Sequence, residues 1–146
     1  MSIGEKRNRL LEMSTGLYTA FIDDDDWISD QYVAEVLKAL ESRPDVVGIV
    51  GEISIDNPRR FGKISKRFYH TLANRSYRNS PRGFERPPNH LNPMRRDVST
   101  AFKFIDESMG EDTDWAMRIC REQILKSEVF INRILYYYDY VANKDY

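Results

Sequence analysis

The chain has 146 residues, and its 22 basic and 23 acidic side chains leave a formal net charge of −1. This length suits one domain with a single core. A mean hydropathy of −0.61 and the lack of a bilayer-length apolar run exclude a protein embedded in a membrane. The basic, polar N-terminus shows no secretory leader, and the single cysteine can form no internal disulfide, so we expect a cytoplasmic protein.

Helical and strand patterns alternate along the first third of the chain. Residues 5–15 predict a helix that ends before a glycine, and the short apolar segment 17–22 predicts a buried strand. A second helix is predicted within residues 29–43, which end just before a proline. Its apolar face comprises Val33, Val36, Leu37 and Leu40. The apolar run 46–55 predicts a strand buried on both faces, and this strand–helix–strand order indicates an α/β layer fold.

The middle of the chain, residues 59–96, carries 11 basic side chains and a single acidic one, Glu85. Such a segment attracts anions to its own surface, packs against the acidic flanks, or forms a solvated loop, and the sequence leaves these alternatives open. Within it, residues 68–77 predict a short helix. A further helical stretch is predicted over residues 93–104, beginning at a proline.

Four adjacent aspartates, residues 23–26, directly follow the first predicted strand. Like charges this close repel one another, and a hard divalent cation such as Mg²⁺ or Mn²⁺ is the usual remedy. Ligands of open α/β sheets also bind beyond the carboxyl ends of strands, where this run lies. A calcium EF-hand does not fit, because its sixth and twelfth positions here are Ile28 and Ala34. The alternative of an acidic turn that caps the next helix stays open for Asp26.

A second acidic motif, Gly110–Glu111–Asp112, precedes a predicted helix over residues 112–124. The free N–H groups and the dipole of a helix N-terminus favour a carboxylate there. Asp112 is therefore either a simple helix cap or a general base held in one direction. Positioned proton abstraction of this kind contributes roughly 10²–10⁴-fold in rate. Residues 129–138 then predict the last strand.

Three stretches together resemble glycosyltransferase family 2, a group of nucleotide-sugar-dependent transferases with the GT-A fold. They are GEKRNRLLEMSTGLYTAFIDDDDWISDQY, GEDTDWAMR and the ending ILYYYDY, with RPPNHLNPMRRDV matching less sharply between them. The first is similar to the family's run from a basic-Asn helix to its DXD motif, and the second to its Glu-Asp motif. The resemblance implies an α/β fold: an incomplete GT-A (Rossmann-like) sheet flanked by helices.

The resemblance also implies site residues, position by position. Asp112 matches the catalytic base of inverting members, and Mn²⁺ or Mg²⁺ would be bound by Asp25 and Asp23. The positions implied to bind the donor are Lys6, Arg7, Asp23 and Asp24. Those implied to bind the acceptor are Glu111, Trp115 and His90. Trp115 also falls on the apolar stripe of its helix, so a core position is an equal alternative for it.

The sequence departs from the family pattern at its start. Family members begin with strand–helix–strand units that build the nucleoside pocket, whereas this sequence begins at the basic-Asn helix. We therefore expect residues 1–146 to form a single GT-A-like domain that is minimal or truncated, or whose nucleoside pocket comes from another chain. The strand 17–22 would then present an open edge, through which we expect a homodimer.

The leading hypothesis is inverting transfer of a sugar from a nucleotide-sugar donor to a hydroxyl of a glycan acceptor, with basic residues of 59–96 closing over the diphosphate. A transferase remnant that keeps fold and metal without turnover is one alternative. Another is a basic, aromatic module that stacks on single-stranded nucleic acid. Its stacking side chains would be Phe61, Phe68, Tyr69, Tyr77 and Phe84. Since this module leaves both acidic motifs unexplained, we do not expect a nucleic-acid partner.

Overall fold

A computed structural model describes residues 1–56 and 63–141 and places four helices and eight strands in these ranges. The helices are α1 (Ile3–Met13), α2 (Tyr32–Leu40), α3 (Arg96–Ser99) and α4 (Glu111–Glu122). The strands are β1 (Tyr18–Thr19), β2 (Trp27–Ile28), β3 (Val46–Asp56), β4 (Lys63–His70), β5 (Arg78–Ser80), β6 (Gly83–Arg86), β7 (Met94–Arg95) and β8 (Glu128–Val141). Within these ranges, none of the helices has the length and apolar character needed to cross a bilayer.

The eight described strands join in one mixed sheet around the long strand β3. On one side of β3 lies β8, which runs parallel to it and pairs in turn with β2. On the other side β4 runs antiparallel, and β6 and β5 continue the sheet beyond it. The first residue of β3 also meets β7, which carries β1 at the edge of the sheet. The sheet therefore brings the start, middle and end of the chain together.

Helix α1 is fixed against the segment that leads into α4. The N–H of Gly4 donates to the carbonyl oxygen of Glu107 at 3.0 Å. A Cβ atom at position 4 would lie 1.8 Å from the carbonyl oxygen of Ile105, so glycine is required for this close approach. The contact sets the distance between α1 and the acidic motif that follows.

The longer predicted elements are confirmed, with ends shifted by a few residues. They are the helices over 5–15, 29–43 and 112–124 and the strands over 46–55 and 129–138. The buried face of α2 differs from the prediction, since Val33 and Leu37 are 60% and 61% exposed. Instead, Tyr32, Val36 and Ala39 are buried, because α2 packs on the sheet mainly through the face that meets β8.

Three shorter predictions are wrong. Residues 68–77 form no helix, because the first three complete β4 and pair with both β3 and β6. The helix predicted over 93–104 reduces to β7 and the single turn α3, since the carbonyl oxygen of Pro93 accepts from the N–H of Val47 and holds the chain on β3. Segment 17–22 forms only the two-residue strand β1, and its side chains are exposed or half-buried because it lies at the sheet edge.

The core lies on both faces of β3. One cluster, between the sheet and α2, includes Tyr32, Ile49, Phe68, Leu135 and Tyr136. The other, around α4, includes Val46, Met94, Val98, Phe104, Trp115 and Ile119. Gly51 of β3 pairs with both Phe68 and Tyr136, which places these two rings on the same face of the sheet. A Cβ atom at Gly51 would lie 1.9 Å from the Phe68 ring, so this glycine makes room for the ring.

His70, the last residue of β4, is buried as a neutral side chain. Its Nδ1 lies 3.1 Å from Oδ1 of Asn89. Burial, reinforced by nearby His90, lowers the pKa of His70 to about 3. The unfolded chain takes up this proton near pH 6.5 but the folded protein does not, so the free energy of unfolding falls as the pH drops from about 6.5 toward 3.

We expect the free energy of unfolding to fall by about 2 kcal/mol more between pH 7 and pH 5 in the wild type than in His70→Gln. Urea unfolding at both pH values measures this difference. Groups that the substitution leaves unchanged contribute equally to the two proteins, so their effects cancel. An identical pH dependence in the two proteins would show that His70 is not held neutral by the fold.

Candidate active site

The aspartate run forms a tight turn between β1 and β2. The N–H of Asp26 donates to the carbonyl oxygen of Asp23 at 3.0 Å. Asp24 and Asp25 are exposed, whereas Asp23 and Asp26 are partly buried. Two of the four adjacent carboxylates, Asp24 and Asp25, therefore face solvent, while Asp23 and Asp26 are partly enclosed by the protein.

Asp23 is engaged by two cationic or hydrogen-bonding partners. Its Oδ1 accepts from Nη1 of Arg7 at 2.9 Å, and its Oδ2 lies 3.3 Å from Nε2 of His90. Burial by itself would raise the pKa of Asp23, but the hydrogen bonds and charges of His90 and Arg7 outweigh it and hold this pKa well below its usual range. Asp23 is thus a fixed carboxylate at the base of the turn.

Asp26 is held by Tyr136 of β8. The Tyr136 hydroxyl donates to Oδ2 of Asp26 at 2.5 Å and accepts from the N–H of Asp23 at 3.1 Å. Burial, together with the charges of neighbouring aspartates, raises the pKa of Asp26 to about 6 despite this hydrogen bond. Its Oδ1 is buried without a hydrogen-bond partner. Asp26 therefore has one oxygen free to accept a ligand.

Arg7 of α1 joins the two acidic motifs. Besides its ion pair with Asp23, its Nε lies 3.6 Å from Oε1 of Glu111, the first residue of α4. Its guanidinium lies over the rings of Phe21 and Phe104, at 5.4 and 5.9 Å from their centroids. The side chains of Arg7 and Glu111 are only 11% and 6% exposed. The two motifs, about 90 residues apart in sequence, thus meet through one buried guanidinium.

Asp112 lies in the first turn of α4, with Gly110 rather than Asp112 at the cap position. Gly110 has φ +76°, in the left-handed region that favours glycine. The Oδ1 of Asp112 accepts from the N–H of Thr113 at 2.8 Å, and the side chain is half-buried. The helix start therefore orients this carboxylate, and its second oxygen is not used in that contact.

Tyr77 lies at the start of α4, next to Thr113, and sequence reasoning did not place it there. Burial raises the pKa of Tyr77, while its hydrogen bond to the Thr113 side chain lowers it and the charge of Asp112 raises it further. The guanidinium of Arg86 covers the Tyr77 ring at 4.9 Å from its centroid. The folded basic segment thus forms one wall next to Asp112. Tyr77 and Tyr136 give no local sequence signal for these roles, because their contacts are with distant elements.

Of three further implied site residues, two are buried and one is exposed. Trp115 is 1% exposed, stacks on Phe104 at 4.7 Å and donates to the carbonyl oxygen of Phe102, so it is a core residue. His90 is 4% exposed and faces Asp23. Lys6 is exposed on α1. These positions leave Lys6, rather than Trp115 or His90, accessible to a ligand.

The aspartate run supplies some, but not all, of the ligands that a divalent cation needs. Among the described residues, no group of three Asp, Glu, His or Cys side chains is arranged as a complete metal site. Mg²⁺ and Mn²⁺, however, are commonly held by one or two carboxylates together with substrate phosphates and water. The exposed Asp25 and the unpartnered Oδ1 of Asp26 supply such a set. The donor atoms therefore fit an ion that arrives with a diphosphate.

The aromatic side chains of the basic segment offer little surface for stacking on bases. Phe68 and Tyr69 are 6% and 7% exposed, and Arg82 covers the Tyr69 ring at 3.7 Å. Arg86 lies over the rings of Tyr77 and Phe84. Phe61 lies outside the described residues. A single-strand platform needs exposed ring faces, and these four rings are buried or already covered.

One family model and two solved structures are similar to this chain. The model named Glycosyl transferase family 2 matches residues 3–110. In structure the chain is similar to S. aureus TarS 1-349, with a TM-score of 0.61 and 16% identity over 94% of this chain and 40% of that one. A second TarS crystal structure gives a TM-score of 0.59 and 14% identity, over 95% of this chain and 24% of that one. No curated protein sequence matches. The chain spans less than half the length of these two neighbours. The structural similarity confirms the predicted fold class, a GT-A-type α/β sheet flanked by helices.

Proposed function

The chain belongs to glycosyl transferase family 2, and from this membership we propose that it takes part in metal-dependent, inverting transfer of a sugar from a nucleotide-sugar donor to a hydroxyl of a glycan acceptor. The observation that carries the proposal is the bridge by Arg7 between Asp23 and Glu111. It brings the two acidic motifs, the proposed donor and acceptor sides, to one place. This convergence is what a group transfer between two bound substrates requires.

On the donor side, we assign the metal to Asp25, with the free oxygen of Asp26 as a second ligand and Asp23 as the anchor of the turn. Asp24 and Lys6, both exposed, are the side chains available to the ribose or the diphosphate. When bound, Mn²⁺ or Mg²⁺ supplies the Lewis acidity that neutralises charge on the departing diphosphate. Arg7 is reassigned from binding the diphosphate to positioning, because its charge is already used by two carboxylates.

On the acceptor side, Asp112 takes the proton from the attacking hydroxyl. Its carboxylate is fixed through one oxygen by the N–H of Thr113, which leaves the other to accept the proton. Tyr77 and Arg86 form the adjoining wall. Glu111 is buried against Arg7 and sets the position of the helix start, so we assign it a positioning role and not acceptor contact.

Calorimetry with a nucleoside diphosphate, with and without Mn²⁺, tests the donor side. We expect binding that depends on Mn²⁺ and that Asp25→Asn weakens at least about tenfold, since one charged ligand of the ion is lost. The matched control is Asp30→Asn, an exposed aspartate between β2 and α2, which leaves binding unchanged. Binding that is equal with and without Mn²⁺, or equal in Asp25→Asn and wild type, contradicts the assignment. Mn²⁺-dependent binding without sugar transfer would identify a remnant.

A homodimer through the edge of β1 is also part of this proposal. Among the described strands, β1 pairs only with β7, which leaves its outer edge free. Leu17 and Ile22 beside it are 71% and 46% exposed. Light scattering at micromolar concentration is expected to give twice the chain mass of 17.2 kDa, and Leu17→Lys the single mass. A wild type with the single mass at that concentration rules the dimer out.

A further inference from the structure

The basic segment forms an extension of the sheet whose charge is nearly all of one sign. β4, β6 and β5 and the turns between them carry Lys66, Arg67, Arg78, Arg82 and Arg86. The only acidic side chain in described residues 63–96, Glu85, is 8% exposed and is paired with Arg78 and Arg82. The surface of this extension is therefore cationic, and its one carboxylate is neutralised within the fold.

A row of alternating rings and cations leads across this extension away from Asp112. Tyr77 is hydrogen-bonded to the side chain of Thr113, the residue after Asp112, and Arg86 covers the Tyr77 ring. The same guanidinium lies 5.2 Å from the centroid of the Phe84 ring, and Nζ of Lys66 lies 5.6 Å from that centroid. We call Tyr77, Arg86, Phe84 and Lys66 the cation row. Its members hold one another in place, which reduces the entropy lost when a ligand binds.

The cation row lies on the same face of the sheet as the aspartate site. Phe84 pairs with Phe68, and Phe68 and Tyr136 both pair with Gly51, so the three rings share one face. Tyr136 holds Asp26. Lys66, two residues before Phe68, lies on this face, whereas Arg67 points to the opposite one. A ligand that reaches Asp112 along the row therefore approaches the face on which the donor would bind.

We propose that the cation row is an acceptor subsite and that the acceptor is an anionic glycan, one that carries carboxylate or phosphate groups. The proposal rests on the proposed function and adds to it the chemical class of the acceptor. Lys66 has an exposed ammonium group to pair with an acidic substituent. The half-buried Arg86 guanidinium, which lies over the rings of Tyr77 and Phe84, adds a second positive charge to the row. A neutral glycan would leave the cationic charge of the row without a partner.

A nucleic acid fits this surface less well. Its phosphates would match the charge, but its bases need open ring faces, and Arg86 already covers both aromatic rings of the row. We therefore propose the anionic glycan as the ligand. The test includes single-stranded DNA as a separate probe for the alternative.

The experiment measures binding of four end-labelled probes to the full chain by fluorescence anisotropy. They are an oligogalacturonate, a phosphate-bearing oligomannose, a neutral malto-oligosaccharide of similar length, and an oligothymidylate. At least one anionic glycan is expected to bind tighter than both the neutral glycan and the DNA, with an affinity that falls as salt is added. The two anionic probes distinguish a carboxylate-bearing from a phosphate-bearing acceptor.

Lys66→Gln and Arg67→Gln form a matched pair. They are adjacent exposed residues of β4, lose the same charge, and lie on opposite faces of the strand. We expect Lys66→Gln to weaken binding of the anionic glycan about tenfold, as for one charge-assisted contact, and Arg67→Gln to weaken it less than about twofold. Because both side chains are exposed, neither variant should disturb folding.

Several results would overturn the inference: equal binding of neutral and anionic glycans, no binding of either anionic probe, tightest binding of the DNA, or equal effects of the two variants. Mn²⁺-dependent binding of a nucleoside diphosphate, measured on the same preparation, separates this failure from failure of the proposed function. If that binding persists while the anionic probes fail, only the acceptor class is wrong. If that binding is lost, the donor site is wrong, whatever the glycan probes show.

Discussion

Asp112→Asn is expected to lower the rate of sugar transfer by roughly 10²–10⁴-fold and to leave nucleoside diphosphate binding unchanged. An amide keeps the shape of the side chain and its hydrogen bond with the N–H of Thr113, but it cannot take a proton from the acceptor hydroxyl. Steady-state transfer assays and calorimetry on the same variant measure the two quantities. A loss of donor binding along with transfer would mean that Asp112 acts on folding or on the donor instead.

Asp114→Asn is the matched control for this experiment. Asp114 lies on the same first turn of α4 and forms an ion pair with Arg118 at 2.8 Å, in which each side chain is about one-third exposed. Exposed pairs of this kind contribute about 0–1 kcal/mol to stability, so transfer should stay within about twofold of wild type. If Asp114→Asn lowered transfer as much as Asp112→Asn, the helix start as a whole would be responsible, and the assignment of the base to Asp112 would be wrong.

Arg7→Leu is expected to lower the free energy of unfolding by about 3 kcal/mol, the lower end for removing one partner of a buried ion pair. The substitution leaves Glu111 buried without a counter-charge and removes one of the two partners of Asp23. Urea unfolding measures the loss. We choose the lower end because Asp23 keeps His90 and its side chain is 30% exposed.

Arg9→Leu, two residues further along α1, is the control for Arg7. Its ion pair with Glu5 is exposed and joins residues four apart, so its removal should change stability by less than about 0.5 kcal/mol. The double variant Arg7→Leu/Glu111→Leu should recover part of the lost stability, because the unpaired buried carboxylate is then removed as well. Equal losses in Arg7→Leu and Arg9→Leu would show that Arg7 does not hold the two motifs together.

The long elements of this fold could be predicted because their patterns are local. The apolar run 46–55 and the helical spacing of 29–43 carry their own signal, and both elements form. Residues 68–77 could not be assigned correctly, since aromatic side chains within a basic run suit a short helix or a strand equally. Their strand forms because β3 on one side and β6 on the other satisfy its backbone, which is information from distant residues.

In the candidate site, too, local sequence patterns indicate some residues, whereas contacts with distant residues could not be predicted. Motif order in the sequence indicates the aspartate run and Asp112 as candidates, because these residues stand at the ends of predictable elements. The partners of the carboxylates could not be predicted: Tyr136 lies 110 residues from Asp26, and Arg7 is 16 and 104 residues from Asp23 and Glu111. The resemblance implies that Arg7 binds the donor, and a lone basic residue in a sequence gives no indication that two carboxylates already neutralise it.

The meeting of the two acidic motifs can be measured through the paramagnetism of Mn²⁺. The ¹⁵N-labelled protein is titrated with Mn²⁺ and a nucleoside diphosphate, and the broadening of each amide signal reports its nearness to the ion. Amides of Asp24 and Asp25 and those of Glu111 and Asp112 are expected to broaden together, while those of α2 stay sharp. Broadening confined to the aspartate run, with the start of α4 unaffected, would contradict a shared cleft and with it the proposed transfer.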